Sequence, residues 1–328
     1  MTEGTGERLR EAMFVLDENV TLLSQEVIAD RICPGLNTVL TFLVHRERGL
    51  LRFEAADCGG LPHPRVADTI TYLRHLHAVT AAEEHSAAFD APSFLFQAED
   101  NPGDAVSASW EARKDWASIT LVPDIYYYQA RGYEDFLVET VPWRQRDDQL
   151  LWRGSTTGIL GLSLDRLQDL PRYRLCRIAA SLGKRADCGF TNVVQGLTPE
   201  HDAAVDARLR QEDLIRNYIP TPDMQRARYA IDIDGNSNSW NFIQRLRLGA
   251  CMLRVESAWH QWFEPRLSAW EHYVPIRSDM SDLIEKMDWC ARHPQAAEDI
   301  AGAGRAFALR TTFAGELSAA GRTLFVPN

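Results

Sequence analysis

Short continuous runs of apolar residues alternate along the chain with longer segments in which apolar residues recur every three or four positions. Continuous runs predict strands buried on both faces, and the longer spacing predicts helices that cover them. The predicted strands cover residues 93–98, 117–122, 149–152, 229–233 and 251–255, and an earlier pair, 37–44 and 50–55, forms a hairpin. The predicted helices cover residues 7–32, 64–77, 199–219, 240–248, 280–291 and 294–309. This order of elements is typical of the α/β class with parallel sheets.

The strand–helix series occurs twice, and the pattern is weakest near residues 140–148, where Pro142 and a polar run interrupt it. We therefore predict two Rossmann-like domains, 1–145 and 146–328, with a terminal helix of the second domain that packs back on the first. Open α/β sheets bind ligands at the carboxyl ends of their strands, so the loops after the predicted strands are the first candidates for chemistry.

Composition narrows the class of protein. Of the 328 residues, 45% are hydrophobic and 25% are charged, as in an ordinary globular protein. The net charge of −11 argues against a dedicated nucleic-acid-binding protein, which would carry a basic excess. The six cysteines include no CxxC pair, so reduced, buried thiols are expected rather than a zinc site. The N-terminus lacks the apolar core of a signal peptide and no run is long enough to span a membrane, so we expect a cytoplasmic protein.

The most informative segment is residues 228–255, in which a predicted buried strand leads through a polar turn into a predicted helix. Free backbone N–H groups and the positive end of the helix dipole would face a ligand there, and Gly235 would let it approach the backbone closely. Such a site favours a phosphate or a diphosphate. The alternative is that the polar residues only cap the helix. The candidate donor-binding residues of this turn are Asp234, Gly235, Asn236, Ser237, Asn238, Ser239 and Trp240.

Asp232 and Asp234 also form an Asp-x-Asp motif of the kind seen in metal-dependent sugar-nucleotide enzymes. Alternate residues of a strand point to opposite faces, so the two carboxylates need not converge on one ion. His75 and His77 cannot share one side of a helix and do not form a metal pair. No metal site is therefore predicted, and activity that survives EDTA would retire the Asp-x-Asp hypothesis.

The segments YAIDIDGNSNSWNFIQRLRLGA and WFEPRLSAWEHYVPIRSDMSDL resemble glycosyltransferase family 90, which includes bacterial lipopolysaccharide-core transferases, fungal capsule-associated proteins and animal protein O-glucosyltransferases. Three further pieces match in order, namely DCGGLPHP, FLFQAEDNP and LLWRGSTTG, so the resemblance covers residues 57–310. It implies a GT-B-like fold, in which two Rossmann-like domains face a central cleft. It also implies a UDP-linked sugar donor, inversion at the anomeric carbon, one aspartate as general base and no metal cofactor.

The resemblance assigns roles to particular residues. Asp100, in the Glu-Asp-Asn-Pro segment, becomes the candidate base, where the residues alone would suggest a turn position. Arg153 becomes the candidate cation that neutralises the diphosphate, with a surface salt bridge as the alternative, and Gly154 and Ser155 would donate hydrogen bonds beside it.

One position departs from the family. The animal branch carries an arginine where this chain has Asn241, which puts the detailed phosphate contacts in doubt. Glu256 is a candidate ribose-binding group, and His272 matches a family position for which a structural role is equally open. Arg245 and Arg247 are expected at the surface.

These observations predict an inverting, metal-independent transferase that moves a sugar from a UDP-sugar to a glycan acceptor of the lipopolysaccharide-core or capsule class. The rivals are a retaining or phosphorylase-like enzyme on free sugars, and a non-catalytic nucleotide-sugar or glycan-binding protein on the same fold. Trp259, Trp262 and Phe263 could contact the surface of the inner membrane, although a packing role is the other interpretation. The pattern does not choose the sugar.

Overall fold

The computed structural model describes residues 16–32, 36–47, 49–84, 93–100, 103–116, 119–136 and 140–326. Within these ranges the chain forms two compact units. The first unit contains the described residues up to 132 together with 259–262 and 312–326, and the second contains 133–136, 140–258 and 263–311. The division into an acceptor domain, 1–145, and a donor domain, 146–328, stays a prediction.

The first unit contains a mixed sheet in the described ranges. Its strands, in spatial order, are β1 (Val20–Leu23), β3 (Leu50–Ala56), β2 (Thr41–Glu47), β4 (Phe94–Gln97), β5 (Ala108–Ser109) and β7 (Thr120–Leu121). The β1–β3, β4–β5 and β5–β7 pairs are parallel. The β2–β3 pair is antiparallel, because its short connection closes the predicted hairpin and a parallel pair needs a long crossover. The antiparallel β2–β4 pair follows, so the sheet is mixed rather than purely parallel.

The helices of the first unit include α1 (Gln25–Ala29), α2 (Pro64–Glu84) and α3 (Ile125–Gln129). Helix α2 buries an apolar face that includes Val66, Ile70 and Leu73, as its spacing predicts. Among the described residues, the predicted helix over 7–32 is confirmed only for Gln25–Ala29, which form α1, whereas residues 20–23 form β1. Pairing of β1 with β3 decides this segment, which local spacing cannot reveal. Residues 7–15 lie outside the described residues.

The second unit contains a parallel sheet of the strands β8 (Asp147–Ser155), β9 (Ala186–Asn192), β10 (Ala227–Asp232), β11 (Cys251–Val255) and β13 (Val274–Ile276). Their spatial order is β13-β11-β10-β8-β9. The helices of this unit are α4 (Pro171–Ser181), α5 (Pro199–Gln211), α6 (Phe242–Arg247), α7 (Leu283–Arg292) and α8 (Pro294–Arg310). Leu150, Trp152, Ile231 and Leu253 lie in its core. The predicted α/β class is confirmed.

Two later segments belong to the first unit. Strand β12 (Trp259–Gln261) pairs antiparallel with β6 (Glu111–Arg113), and α9 (Phe313–Phe325) packs against α2. A Cβ at Gly321 would lie 2.0 Å from Oγ1 of Thr80, so the absence of a side chain lets α9 approach α2 closely. No helix among the described residues has the length and apolar character needed to cross a bilayer.

The three aromatic residues considered for membrane contact have packing roles. Phe263 is 1% exposed, and its ring stacks on Phe242 within the second unit. Within the first unit, Nε1 of Trp262 donates to Glu316, and the ring of Trp259 meets Trp116 edge to face. Phe263 therefore cannot contribute to a surface patch, and the packing interpretation holds for this residue.

Candidate functional site

The strand order of the second unit creates a switch point between β8 and β10. The chain runs from β8 outward to β9 and then returns to the other side of β8 to form β10. Loops that leave the carboxyl ends of these neighbouring strands diverge, and open α/β sheets bind ligands in the crevice between them. Strand β8 ends at Ser155 and the turn after β10 begins at Ile233, so two of the predicted donor-binding segments meet at this edge.

Arg172, which the sequence analysis missed, joins these two segments. Its side chain comes from the first turn of α4, and Nε donates to the backbone oxygen of Asp234 at 2.8 Å. One terminal nitrogen donates to the backbone oxygen of Ser155 at 3.2 Å and to Oγ1 of Thr157. Burial, followed by the neighbouring Arg245, lowers the pKa of Arg172 to about 10, so the guanidinium is still charged at neutral pH. The structure thus places a half-buried cation at the β8–β10 edge.

Arg172 and its neighbour Thr157 explain why residue 235 is a glycine. A Cβ at Gly235 would lie 3.0 Å from a terminal nitrogen of Arg172 and 2.9 Å from Oγ1 of Thr157. The turn and the loop are also joined directly, because the amide of Gly158 donates to Oδ1 of Asn236 at 3.0 Å. The space left by the missing side chain of Gly235, which the sequence analysis assigned to a ligand, is thus occupied at least in part by the guanidinium of Arg172.

Arg153 is fully engaged within the second unit. One terminal nitrogen of its guanidinium lies 2.8 Å from each carboxylate oxygen of Asp187. The other terminal nitrogen donates to the backbone oxygens of Trp152 and Asp187, and Nε donates to that of Asn217. All three nitrogens of the side chain therefore have partners. A salt bridge, the alternative considered for Arg153, is what the structure contains, although it is buried rather than on the surface. Its predicted role at the diphosphate stays a prediction that would require these donors to be shared.

Gly154 has a packing reason for lacking a side chain. A Cβ there would lie 2.5 Å from the indole ring of Trp152, whose side chain fills the space beside β8. The guanidinium of Arg172 also lies over the ring of Trp152, 5.7 Å from the ring centroid. Gly154 and Trp152 therefore support the same edge that Arg172 joins.

The helix after the polar turn is shorter than predicted. It begins at Phe242, and its N-cap residue is Asn241, whose side chain makes no capping hydrogen bond. Ser237, Asn238 and Ser239 are buried in the preceding turn and do not cap the helix. A helix of fewer than two turns has a weak dipole, so the prediction of a diphosphate at this helix terminus loses its main physical support.

The expectation that Arg245 and Arg247 lie at the surface is wrong. Their exposed fractions are 8% and 6%. Arg245 donates to the backbone oxygen of Ile231 and lies 3.5 Å from the carboxylate of Asp232, whose other oxygen lies 3.6 Å from Arg254. Arg254 pairs in turn with Glu264. For Arg245, the partner that explains its burial is the buried carboxylate of Asp232 on the neighbouring strand, which periodicity does not register.

The two aspartates of the Asp-x-Asp motif have different environments. Asp232 is held between the two arginines described above. Asp234 accepts a hydrogen bond from Oγ of Ser257 at 2.6 Å, and burial raises its pKa to about 6. A carboxyl group with a raised pKa beside a strand-end crevice is a recognised mark of a functional site. Asp234 is therefore the carboxylate of this motif that a ligand could use.

Replacement of Asp234 by asparagine is expected to stabilise the protein above pH 6. The pKa of Asp234 is raised from 3.8 to about 6 in the folded state. The free-energy cost of burying the ionised carboxylate therefore grows as the pH rises between these two values, and it is fully present above the folded-state pKa. Asparagine avoids the cost and still accepts from Ser257, which gives about 2–3 kcal/mol at pH 7 and little change at pH 4. Thermal unfolding of wild type and D234N from pH 4 to pH 8 measures this difference.

The matched control is Asp232→Asn, which removes a carboxylate that is paired with Arg245 and Arg254. D232N is expected to lower Tm at pH 7, because it leaves two buried guanidinium groups with fewer partners. A D234N protein that is no more stable than wild type at pH 7 would contradict the assignment of a burial cost to Asp234.

A cavity of about 240 Å³ opens beside the end of β8. It lies within the second unit and includes residues from the strand end, from the segment before β10 and from α6 with its cap. The lining residues are Arg153, Gly154, Thr191, Tyr218, Ile219, Thr221, Met224, Asn241, Gln244 and Arg245. Three of the predicted donor-binding residues, Arg153, Gly154 and Asn241, therefore meet around one space.

The remaining donor-side candidates lie apart from this cavity's lining. Glu256 is exposed directly after β11, and its amide donates to Ile276. His272 is 6% exposed, accepts a hydrogen bond from the Ser268 amide on Nδ1, and packs edge to face on Phe307. These contacts agree with a structural role for His272. It lines a second cavity of about 380 Å³ with Arg266, Ser268, Glu271, Phe307, Arg310 and Thr311.

Asp100, the candidate base, lies in the first unit, in the bend after β4. About a third of its side chain is exposed, and Oδ1 accepts a hydrogen bond from Arg65 at 2.9 Å. Its neighbours Asn101 and Pro102, which complete the family segment, lie outside the described residues. The position at a strand end and the accessible carboxylate are what a general base requires, and the role itself stays a prediction.

Comparison with known proteins gives the same family as the sequence motifs. Protein O-glucosyltransferase 2 of Danio rerio is 27% identical over 53% of this chain and 31% of its own length. Protein 179R of invertebrate iridescent virus 6 is 29% identical over 56% of this chain and 16% of its own length. This chain thus spans less than a third of either relative. Among solved structures, Anabaena Alr3699/HepE in complex with UDP and glucose is 8% identical, with a TM-score of 0.40 over 78% of this chain and 74% of that one.

The family model for glycosyl transferase family 90 matches residues 79–315. This match includes the bend that carries Asp100, the Arg-Gly-Ser segment and the whole polar turn at 234–239. It covers well over half of the chain, and the motifs that it contains are those that form the edge between β8 and β10. The chain therefore belongs to glycosyl transferase family 90.

Proposed function

We infer that this protein is a glycosyltransferase that uses a UDP-linked sugar donor. The observation that carries the proposal is the β8–β10 edge, where Arg172 binds two strand-end segments together beside a cavity of about 240 Å³. A half-buried guanidinium at a loop edge favours a phosphate-bearing ligand, because it stabilises negative charge in a partly desolvated place. Membership of the family supports the same class of reaction, and the relatives of this chain include a protein O-glucosyltransferase.

The reaction proposed is an inverting displacement at the anomeric carbon. The acceptor hydroxyl oxygen forms a bond to this carbon while the bond from the carbon to the diphosphate oxygen breaks. The electron pair of that bond leaves with UDP, and the hydroxyl proton passes to the carboxylate of Asp100. Asp100 acts here as a general base, and the diphosphate charge that develops is stabilised by the second unit.

We further propose that no metal ion is needed. Arg172, which is charged and half-buried at the edge, supplies positive charge at the place where a metal would otherwise be required. Asp232, which a metal would need as a ligand, is already held between Arg245 and Arg254. A glycan of the lipopolysaccharide-core or capsule class is the proposed acceptor, and the cytoplasm is the proposed compartment.

Calorimetric titration of the purified protein with UDP and then UDP-glucose, in buffer that contains EDTA, tests this proposal. Micromolar binding of UDP without metal is the expected result. Binding that appears only after manganese is added would overturn the metal-free part and restore a role for the Asp-x-Asp motif. Absence of binding in both buffers would overturn the assignment of a UDP-sugar donor. Release of UDP from UDP-glucose, measured on the same samples, reports turnover.

A further inference from the structure

Helix α2 begins beside the candidate base and presents Arg65 to it. Both residues lie in the first unit, and one terminal nitrogen of Arg65 donates to Oδ1 of Asp100 at 2.9 Å. The same nitrogen lies 3.5 Å from the backbone oxygen of Ala98, the residue after β4. The other terminal nitrogen lies 3.4 Å from the hydroxyl of Tyr126 on α3. The guanidinium therefore connects the strand end, the candidate base and a second helix.

The elements that hold Arg65 are themselves fixed. The Arg65 amide donates to Nδ1 of His63, and its carbonyl oxygen accepts from Oγ1 of Thr69 at 2.6 Å. Tyr126 lies in the first turn of α3, whose N-cap is the fully buried Asp124. Asp124 accepts from the Tyr127 amide at 2.9 Å and from Gln261 at 3.2 Å, and burial raises its pKa to about 7. Arg65 and its partner Tyr126 thus both lie in the first turn of a helix that is held by further hydrogen bonds.

We propose that Arg65 is a positioning residue for Asp100, an inference that rests on the proposed function of Asp100 as base. Within the described ranges the carboxylate receives its side-chain hydrogen bond on Oδ1, which leaves Oδ2 to accept the proton of the acceptor hydroxyl. One terminal nitrogen of the guanidinium contacts Oδ1 while the other contacts the hydroxyl of Tyr126, so the position of the carboxylate is fixed relative to α3. General-base catalysis depends on such alignment, because the proton acceptor must lie within hydrogen-bond reach of the attacking oxygen.

Arg65 also supplies positive charge beside the candidate base. The described groups around Asp100 are Arg65 at the start of α2, Tyr126 on α3, His63 before α2 and Glu99 beside it on the same bend. Burial, and then Arg65, lower the pKa of His63, so this histidine is neutral at pH 7 and adds no positive charge. Among these described groups the positive charge in contact with Asp100 therefore comes from Arg65, which makes Arg65 the residue to replace.

The test compares R65Q, R65K and wild type in the release of UDP from UDP-glucose, with KM and UDP affinity measured in parallel. For R65Q we expect kcat to fall roughly tenfold or more, with KM for UDP-glucose and UDP affinity within about twofold of wild type. R65K keeps the charge and one donor for Oδ1 but loses the second terminal nitrogen, so it should recover part of kcat.

Arg74→Gln is the matched control, because Arg74 lies on the same helix and its side chain pairs with Asp17. It should leave both kcat and KM unchanged. A fall in Tm for R65Q with no recovery of kcat in R65K would mean that Arg65 is merely structural and would overturn the inference. An unchanged kcat for R65Q would overturn it as well. Asp100→Asn separates failure of this inference from failure of the proposed function, because full activity of D100N would contradict the proposed base itself.

Discussion

Asp100→Asn is expected to lower kcat for sugar transfer by about 10²–10⁴-fold, the range over which a positioned general base contributes to rate. The asparagine side chain keeps the size of the carboxylate and can still accept from Arg65, but it cannot take the proton of the acceptor hydroxyl. UDP affinity should stay within a few-fold of wild type, because Asp100 belongs to the first unit and the proposed diphosphate edge belongs to the second. Release of UDP from UDP-glucose and calorimetric titration with UDP measure the two quantities.

Asp104→Asn is the control for this experiment, since Asp104 is an exposed carboxylate on the same connection between β4 and β5. D104N should retain wild-type kcat. Normal turnover by D100N would show that the base has been assigned to the wrong residue. A wild-type protein that binds UDP-sugars but turns over none of them would favour the non-catalytic binding protein that the sequence left open.

Arg172→Gln is expected to weaken UDP binding by about 10- to 100-fold, which corresponds to loss of one or two strong charge-assisted contacts. Glutamine cannot donate simultaneously to the oxygens of Asp234 and Ser155, so the turn and the loop separate and the local positive charge is lost. The same change should lower the free energy of unfolding by about 2–4 kcal/mol, because buried carbonyl oxygens lose their donor. Calorimetry with UDP and thermal unfolding measure these two effects.

Arg174→Gln, two residues along the same helix, is the matched control because Arg174 is exposed. It should change neither UDP affinity nor Tm. Arg172→Lys restores the charge but not the fork, so it should recover part of the affinity and less of the stability. Tight UDP binding by a folded R172Q protein would show that the diphosphate lies elsewhere, and Arg153 would then be the next residue to replace.

The sequence by itself determined the elements whose signal is local. The run at Cys251–Val255 was predicted with the bounds that the structure has, and the helices at 64–77 and 294–309 were found with shifted ends. Apolar runs and helical spacing report burial of one short segment against its surroundings, and this is enough to identify the α/β class. Motif order was enough to identify the family, because each motif is a contiguous piece of chain.

Only the tertiary structure decided which side chains share the site. Arg172 belongs to no motif, and it reaches the 234–236 turn only because the sheet order sets β8 beside β10. Arg245 looks like a surface residue until Asp232 is placed beside it, and residues 20–23 look helical until β3 pairs with them. Each of these outcomes depends on partners far away in the chain, where hydrogen bonding and paired charge outweigh local preference. Periodicity carries no information about such partners.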